Sequence, residues 1–154
     1  MTLLEPPPEL QSKPRAVLYA SLGVLIVSVF VLYFAFRYFP EKETAEHFFD
    51  TVVAGDMNKA YGLWMNGKDL TKAPPSYTMK DFVADWGPNG YYGPIKSYKI
   101  VGASSPKDAT GVILVVAVSP YAPMPDVNDP EKSGKTRFVD VWVDKNTKGF
   151  SFPP

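Results

Sequence analysis

The stretch ETAEHFFDTVVAGDMNKAYGLW (residues 43–64) contains two amphipathic helical patterns separated by a Gly-Asp pair. The first has the i, i+3, i+4, i+7, i+8 spacing of one buried helical face, at Ala45, Phe48, Phe49, Val52 and Val53. The second places apolar side chains at Met57, Ala60, Tyr61 and Trp64. Because Gly55 is a typical helix end and Asp56 a typical N-cap, the stretch predicts two helices joined by a tight turn.

On the N-terminal side, residues 16–36 (AVLYASLGVLIVSVFVLYFAF) carry no charge. At about 1.5 Å per residue, a helix of this length is roughly 31 Å long, which matches one bilayer core. Aromatic residues cluster around Arg37 at its C-terminal end, a pattern typical of a membrane interface. We therefore predict an N-terminal tail at residues 1–15 and a transmembrane helix at residues 16–38, which Pro40 ends.

The anchor is expected to remain on the mature chain, because bulky residues follow it where a signal peptidase requires small ones. Lys13 and Arg15 before the span are nearly balanced by Arg37 and Lys42 after it. The short tail and its free amino group favour a cytoplasmic N-terminus. The soluble domain would then be periplasmic or otherwise extracytoplasmic.

Small residues recur along the anchor in two rows, one with Ala16, Ala20 and Gly23 and another with Ser21, Ser28 and Ala35. Such rows allow a second helix to approach closely, so Ala16, Ala20, Gly23 and Ser28 are candidate partner-binding positions. Single-pass anchors also contain scattered small residues without a partner, and both readings remain open.

On the C-terminal side, Thr78 and Asp81 resemble a capping box for a third soluble helix, with apolar positions at Met79, Phe82, Val83 and Trp86. Residues 87–94 (GPNGYYGP) are turn formers. Residues 95–102, 111–119, 136–143 and 149–152 have the composition of strands. Helices followed by an antiparallel sheet predict one α+β domain over residues 41–154.

This order of elements resembles the nuclear transport factor 2-like superfamily, through residues 43–64 and the closing hairpin VWVDKNTKGFSF (residues 141–152). The resemblance implies a cone in which a curved sheet wraps around the helices. Members include isomerases, dehydratases and polyketide cyclases, and also non-catalytic domains behind a single membrane helix. Among the latter, the bitopic scaffold component of type IV secretion systems is similar in layout.

Enzymes of that superfamily move a proton with an Asp, His or Tyr inside the cone, so His47, Tyr61, Tyr98 and Asp140 are the residues to consider. His47 lies off the buried helical face and is expected at the surface near Glu43. Asp140 shares a strand face with Phe138 and Trp142, which would point either into the cone or to a sheet edge. We predict no catalytic residue.

Composition excludes several other classes. The chain has no cysteine, and its 16 basic residues equal its 16 acidic ones, so neither a thiol site nor nucleic-acid binding is indicated. In DVNDPE (residues 126–131), Asp126, Asn128, Asp129 and Glu131 offer oxygen ligands, but Pro130 and the lack of a following glycine disfavour a calcium loop. No metal and no cofactor are predicted.

The strand at residues 111–119 is apolar on both faces, which implies that both faces are covered. Helices can cover only one face. Residues 119–135 form a loop with four prolines that is longer than a hairpin requires, and it lies next to this strand in the sequence. We expect Tyr121 and Met124 to anchor this loop against the outer face of the sheet or against another chain.

These observations favour a non-catalytic accessory or scaffold subunit of a larger membrane complex, which binds partners through the anchor, the outer sheet face and the loop. A membrane-tethered cone that binds or converts a small molecule is the main alternative, and an open interior pocket with converging polar groups would favour it. A homo-oligomeric sensor or stalk is a third possibility.

Overall fold

The computed structural model describes residues 14–66 and 76–153, so most of the N-terminal tail and the loop with Pro74 and Pro75 lie outside the described residues. The chain divides into two units, one that ends at Arg37 and one that begins at Tyr38. The second unit has the predicted α+β order, with three helices followed by an antiparallel sheet.

The first unit contains helix α1, Pro14–Phe36, whose described side chains are all exposed. Its apolar residues surround the helix on every side, as expected for a helix that is solvated by lipid rather than by water. Within the described residues, one helix near the N-terminus is long and apolar enough to cross a bilayer, which is compatible with a single-pass membrane protein.

Helices α2 (Phe39–Val53) and α3 (Met57–Trp64) form the predicted pair. Gly55 adopts a φ of +79°, which a glycine accepts without steric cost, and the Asp56 carboxylate accepts a 3.0 Å hydrogen bond from the Lys59 amide. Ala45, Phe48, Phe49 and Val52 are buried as expected. Val53 is 39% exposed, because it lies at the helix end beside the turn.

Helix α4, Met79–Trp86, begins with the predicted capping box. The Thr78 hydroxyl accepts from the Asp81 amide, and the Asp81 carboxylate accepts from the Thr78 amide at 2.9 Å. The Thr78 hydroxyl also donates to the Asp81 carboxylate at 2.6 Å, and this bond, together with the one from the Thr78 amide, holds the pKa of the Asp81 carboxyl below its usual range. Phe82 and Trp86 are buried, whereas Val83, which was expected in the same stripe, is 38% exposed on the other side of this short helix.

Four strands follow in an open antiparallel sheet of order β1-β2-β3-β4: Ser97–Ser104, Gly111–Ser119, Arg137–Asp144 and Phe150–Ser151. The predicted boundaries of β2 are confirmed. The first strand was placed two residues too early, since it begins at Ser97 and ends at Ser104. The β1–β2 register shifts between Ile100 and Gly102, which marks a β-bulge at Val101.

The inner face of the sheet packs on the helices. Alternate residues of β2 and β3 are almost fully buried there: Val112, Leu114, Val116, Val118, Val139, Val141 and Val143. Phe48 lies at the centre of the core, and the rings of Trp64, Phe82, Trp86 and Phe150 have centroids 4.8–6.1 Å from its own. Edge-to-face and tilted ring pairs of this kind each stabilise by about 0.5–1.5 kcal/mol beyond simple burial.

Candidate functional site on the outer sheet face

Aromatic side chains occupy the space between the helices and the inner sheet face. Phe48, Trp64, Phe82, Trp86 and Phe150 are each no more than 1% exposed. Their polar atoms are few, since this set supplies only the two indole nitrogens. The interior of the described part of the domain is therefore a packed aromatic core.

The four residues considered for proton transfer do not converge. His47 is exposed on α2. The Tyr61 hydroxyl donates to the Tyr77 carbonyl at 2.9 Å, and the Tyr98 hydroxyl lies 2.7 Å from an Asp50 carboxylate oxygen. Asp140 is exposed on the outer face opposite Val115, so the alternative in which it points into the domain is wrong.

The reason for the orientation of Asp140 is the strand alternation, because its neighbours Val139 and Val141 take the inner positions of β3. The inference that Asp140, Phe138 and Trp142 share a face is confirmed, and that face is the outer one. Because β2 is apolar on both faces, the sequence did not determine which face of the sheet is the inner one.

Two tyrosines act as hydrogen-bond donors that join elements. Burial raises the pKa of the Tyr77 hydroxyl, and its 2.5 Å bond to Asp85 raises this pKa further. Burial likewise raises the pKa of Tyr98, with a further contribution from its bond to Asp50. A tyrosine that serves as a general base requires the opposite shift, so these groups are suited to holding α4 and β1 in place.

The outer face carries an apolar strip flanked by opposite charges. Lys99, Ala117 and Phe138 form one cross-strand row, and Gly102, Val115 and Asp140 form the next. Trp142 belongs to the following row. Its ring lies over Gly111, where an added Cβ atom would collide with the indole. Trp142 covers one end of the strip, while the end that contains Phe138 is open.

At this open end, the sheet and the β2–β3 loop enclose an apolar cavity of about 250 Å³. We call it the outer groove. It is lined by Lys99, Val101, Ala117 and Phe138 from the sheet and by Met124, Pro125 and Val127 from the loop. Val127 is 90% exposed, Phe138 66% and Val101 50%. Apolar side chains that cluster with this much exposure are typical of a surface that binds a partner.

The loop is held against the sheet by polar contacts near Tyr121 and Met124. The Ser97 hydroxyl donates to the Tyr121 carbonyl at 2.6 Å, and the Met124 sulfur lies 3.9 Å from the same hydroxyl oxygen. The Tyr121 amide donates to Ser119 Oγ at 3.2 Å. Met124 thus lines the outer groove, whereas Tyr121 contacts its neighbours through its backbone and its hydroxyl.

The acidic stretch considered for calcium forms a helix start instead. Asp129 caps the short helix α5, Pro130–Ser133, and the amide of Lys132 lowers the pKa of its carboxyl. Asp126 accepts a 2.8 Å hydrogen bond from the Asn128 amide. Among the described residues, no group of three or more His, Cys, Asp or Glu side chains could hold a metal ion. We did not predict α5, although an Asp-Pro pair is a known helix start.

In α1, Ala20, Gly23 and Ser28 are exposed, and the side chain of Ala16 lies outside the described residues. The Ser21 and Ser28 hydroxyls donate to the carbonyls of Leu18 and Val24, at 2.9 and 2.8 Å. A Cβ atom added at Gly23 would meet nothing within 4 Å. These positions are compatible with a closely approaching second helix, which stays a prediction.

Sequence analysis missed two contributors to the outer groove. Val101 was not recognised because a bulge interrupts the alternation that assigns strand residues to faces. Val127 lies within the loop, where no periodic pattern predicts a contact.

The chain was compared with models of known protein families, with curated proteins and with solved structures, and none of these comparisons found a match.

Proposed function

We propose that this chain is a non-catalytic, single-pass membrane protein that serves as an accessory or scaffold subunit of a larger membrane complex. Helix α1 anchors it, with the N-terminus in the cytoplasm and the second unit on the other side. The outer groove receives an aliphatic or aromatic side chain from another subunit. Lys99 lines the groove, so we expect that subunit to place a carboxylate beside the inserted side chain.

The exposure of Phe138 is the observation that carries this proposal. Burying a Phe or Val side chain stabilises by about 1.5–3 kcal/mol, and Phe138 and Val127 retain most of that free energy as potential binding energy. The cavity offers space for about one further side chain. Inserted apolar residues of this kind commonly supply most of the affinity of an interface.

The fold class of the second unit also supports a binding role. We infer that the second unit is a small relative of the nuclear transport factor 2-like cone. The inference rests on the sequence of its elements, in which helices precede an antiparallel sheet. In catalytic members the cone interior is the reaction chamber, whereas here aromatic side chains fill the corresponding space. This filling favours a binding role over the enzymatic alternative.

The proposal can be tested with the tagged full-length chain, extracted from native membranes in a mild detergent. We expect it to migrate as part of a larger assembly on size-exclusion chromatography. Phe138→Asp should release the chain from that assembly, because it places a carboxylate in the apolar groove. Val53→Asp changes a similarly apolar but less exposed position on α2 and serves as the control that keeps the assembly intact.

The charge of Lys99 offers a second variant, in which Lys99→Glu should weaken the same association through repulsion of the partner's carboxylate. Migration of wild type and Phe138→Asp at the same small size would contradict the proposal. An assembly that contains only copies of this chain would support the homo-oligomer instead.

A further inference from the structure

A second cavity, of about 300 Å³, shares the segment of residues 133–138 with the outer groove, and different residues of this segment line the two cavities. Ser133, Thr136 and Phe138 line the outer groove, whereas Gly134, Lys135 and Arg137 line this second cavity. Tyr92, Gly93 and Pro94 form another wall. Lys135 and Arg137 are the two cationic residues in this lining, which distinguishes the cavity from the apolar groove.

Neutral groups hold both cations in place. The Arg137 guanidinium donates to the Tyr91 carbonyl and lies over the Tyr91 ring, with 5.3 Å between its central carbon and the ring centroid. The Lys135 ammonium donates to the Tyr121 hydroxyl at 3.1 Å and lies 5.7 Å from the centroid of that ring. Ring contacts of this type orient a cation without neutralising it.

Acidic side chains in the described part of the chain leave these cations unpaired. The ion pairs among the described residues of the second unit join Lys132 to Asp129 and Lys148 to Glu41, and neither includes Lys135 or Arg137. Glu131 acts on Lys135 only at longer range. The charges of Asp85 and Asp140 reach Tyr92, but neither carboxylate forms an ion pair with the two cations, and Asp85 is bound by Tyr77.

We propose that this cavity binds an oxyanion, which Arg137 holds through its planar guanidinium and Lys135 through its ammonium. A guanidinium offers paired N–H donors that match a carboxylate or a phosphate. The two long side chains are already oriented by Tyr91 and Tyr121, so binding costs less conformational entropy than it would at two free surface cations. This proposal is independent of the outer groove and of its partner.

The test is a titration of the full-length chain in detergent micelles with inorganic phosphate, and separately with acetate, at constant ionic strength. Binding is followed through the NMR signals of the Arg137 side-chain N–H and the Gly134 amide. We expect saturable shifts of both signals. Arg137→Gln should weaken binding by about tenfold, because it removes a charge-assisted hydrogen bond to the oxyanion.

Lys135→Gln should weaken binding by a smaller factor, and Lys132→Gln, which removes an ion-paired cation on α5, should leave it unchanged. Stronger binding of phosphate than acetate would identify a phosphoryl ligand, and the reverse a carboxylate ligand. Shifts that do not saturate, or a Gly134 titration that is the same in wild type and Arg137→Gln, would overturn the proposal.

Discussion

At the residue scale, Glu41 and Lys148 show how a distant pair joins the start of α2 to the closing hairpin. They lie 107 positions apart in the sequence, and their charged atoms are 2.7 Å apart. The Glu41 side chain is 8% exposed and that of Lys148 is 34% exposed. A carboxylate this buried depends on its partner, since unpaired buried charges are costly.

Lys148→Met should therefore lower the free energy of unfolding by about 1–3 kcal/mol, because Glu41 keeps its burial and loses its cation. Lys132→Met provides the matched control. Lys132 pairs with Asp129 at 3.1 Å, but both side chains are exposed, and such pairs contribute about 0–1 kcal/mol. Chemical denaturation of both variants measures the difference. Equal losses would show that the burial of Glu41 has no energetic consequence.

Tyr77 provides a test that depends on pH. Burial, followed by its bond to Asp85, raises the pKa of this hydroxyl above the usual value of about 10, so the folded state keeps a proton that the unfolded state releases. This contribution is complete below about pH 10 and is lost as the pH rises further. We expect the Tm of wild type to fall more steeply above about pH 10 than that of Tyr77→Phe. Parallel Tm curves would contradict this account.

At the element scale, the α2–α3 turn depends on Gly55. Its φ of +79° is unfavourable for a residue with a Cβ atom, so Gly55→Ala should destabilise the domain by about 1 kcal/mol. Gly62→Ala is the control in the middle of α3, where an added Cβ meets nothing within 4 Å. There we expect stabilisation by about 0.5–1 kcal/mol, because alanine is the better helix former. Thermal melts of the two variants should shift in opposite directions.

Much of the secondary structure could be predicted from local signals. The limits of β2 follow from an apolar run between Gly111 and Pro120, and the capping box at Thr78 fixes the start of α4. Long-range packing decides what local patterns leave open. Neither the bulge at Val101 nor the outward position of Asp140 has a local signature, because both depend on how β2 pairs with its neighbours.

The outer groove was only partly predictable for the same reason. A strand that is apolar on both faces indicates a covered outer face, and the position of Met124 in the loop agrees with that expectation. The exposure of Phe138 could not be derived, since it depends on how far the loop extends over the sheet. The cavity proposed to bind an oxyanion is lined by Tyr92, Pro120, Lys135 and Arg137, which lie in three separate segments of the chain.

At the scale of the whole molecule, we propose different tasks for the two units. In this proposal, helix α1 attaches the chain to a bilayer, and the second unit has a packed aromatic core and binds partners through its outer surface. Substitutions inside the core should affect stability first. Substitutions in the outer groove should affect assembly at unchanged stability, because Phe138 and Val127 are already largely exposed in the isolated chain.

The central claim is that the outer groove contacts a different subunit, and photo-crosslinking in native membranes tests it most directly. A photoreactive amino acid is placed at position 138 in the full-length chain, and at position 53 as the control. We predict that illumination links position 138 to a distinct protein, that Lys99→Glu reduces the yield of this adduct, and that position 53 does not form it. Adducts only with lipid or with a second copy of this chain, or equal yields from both positions, would contradict the account.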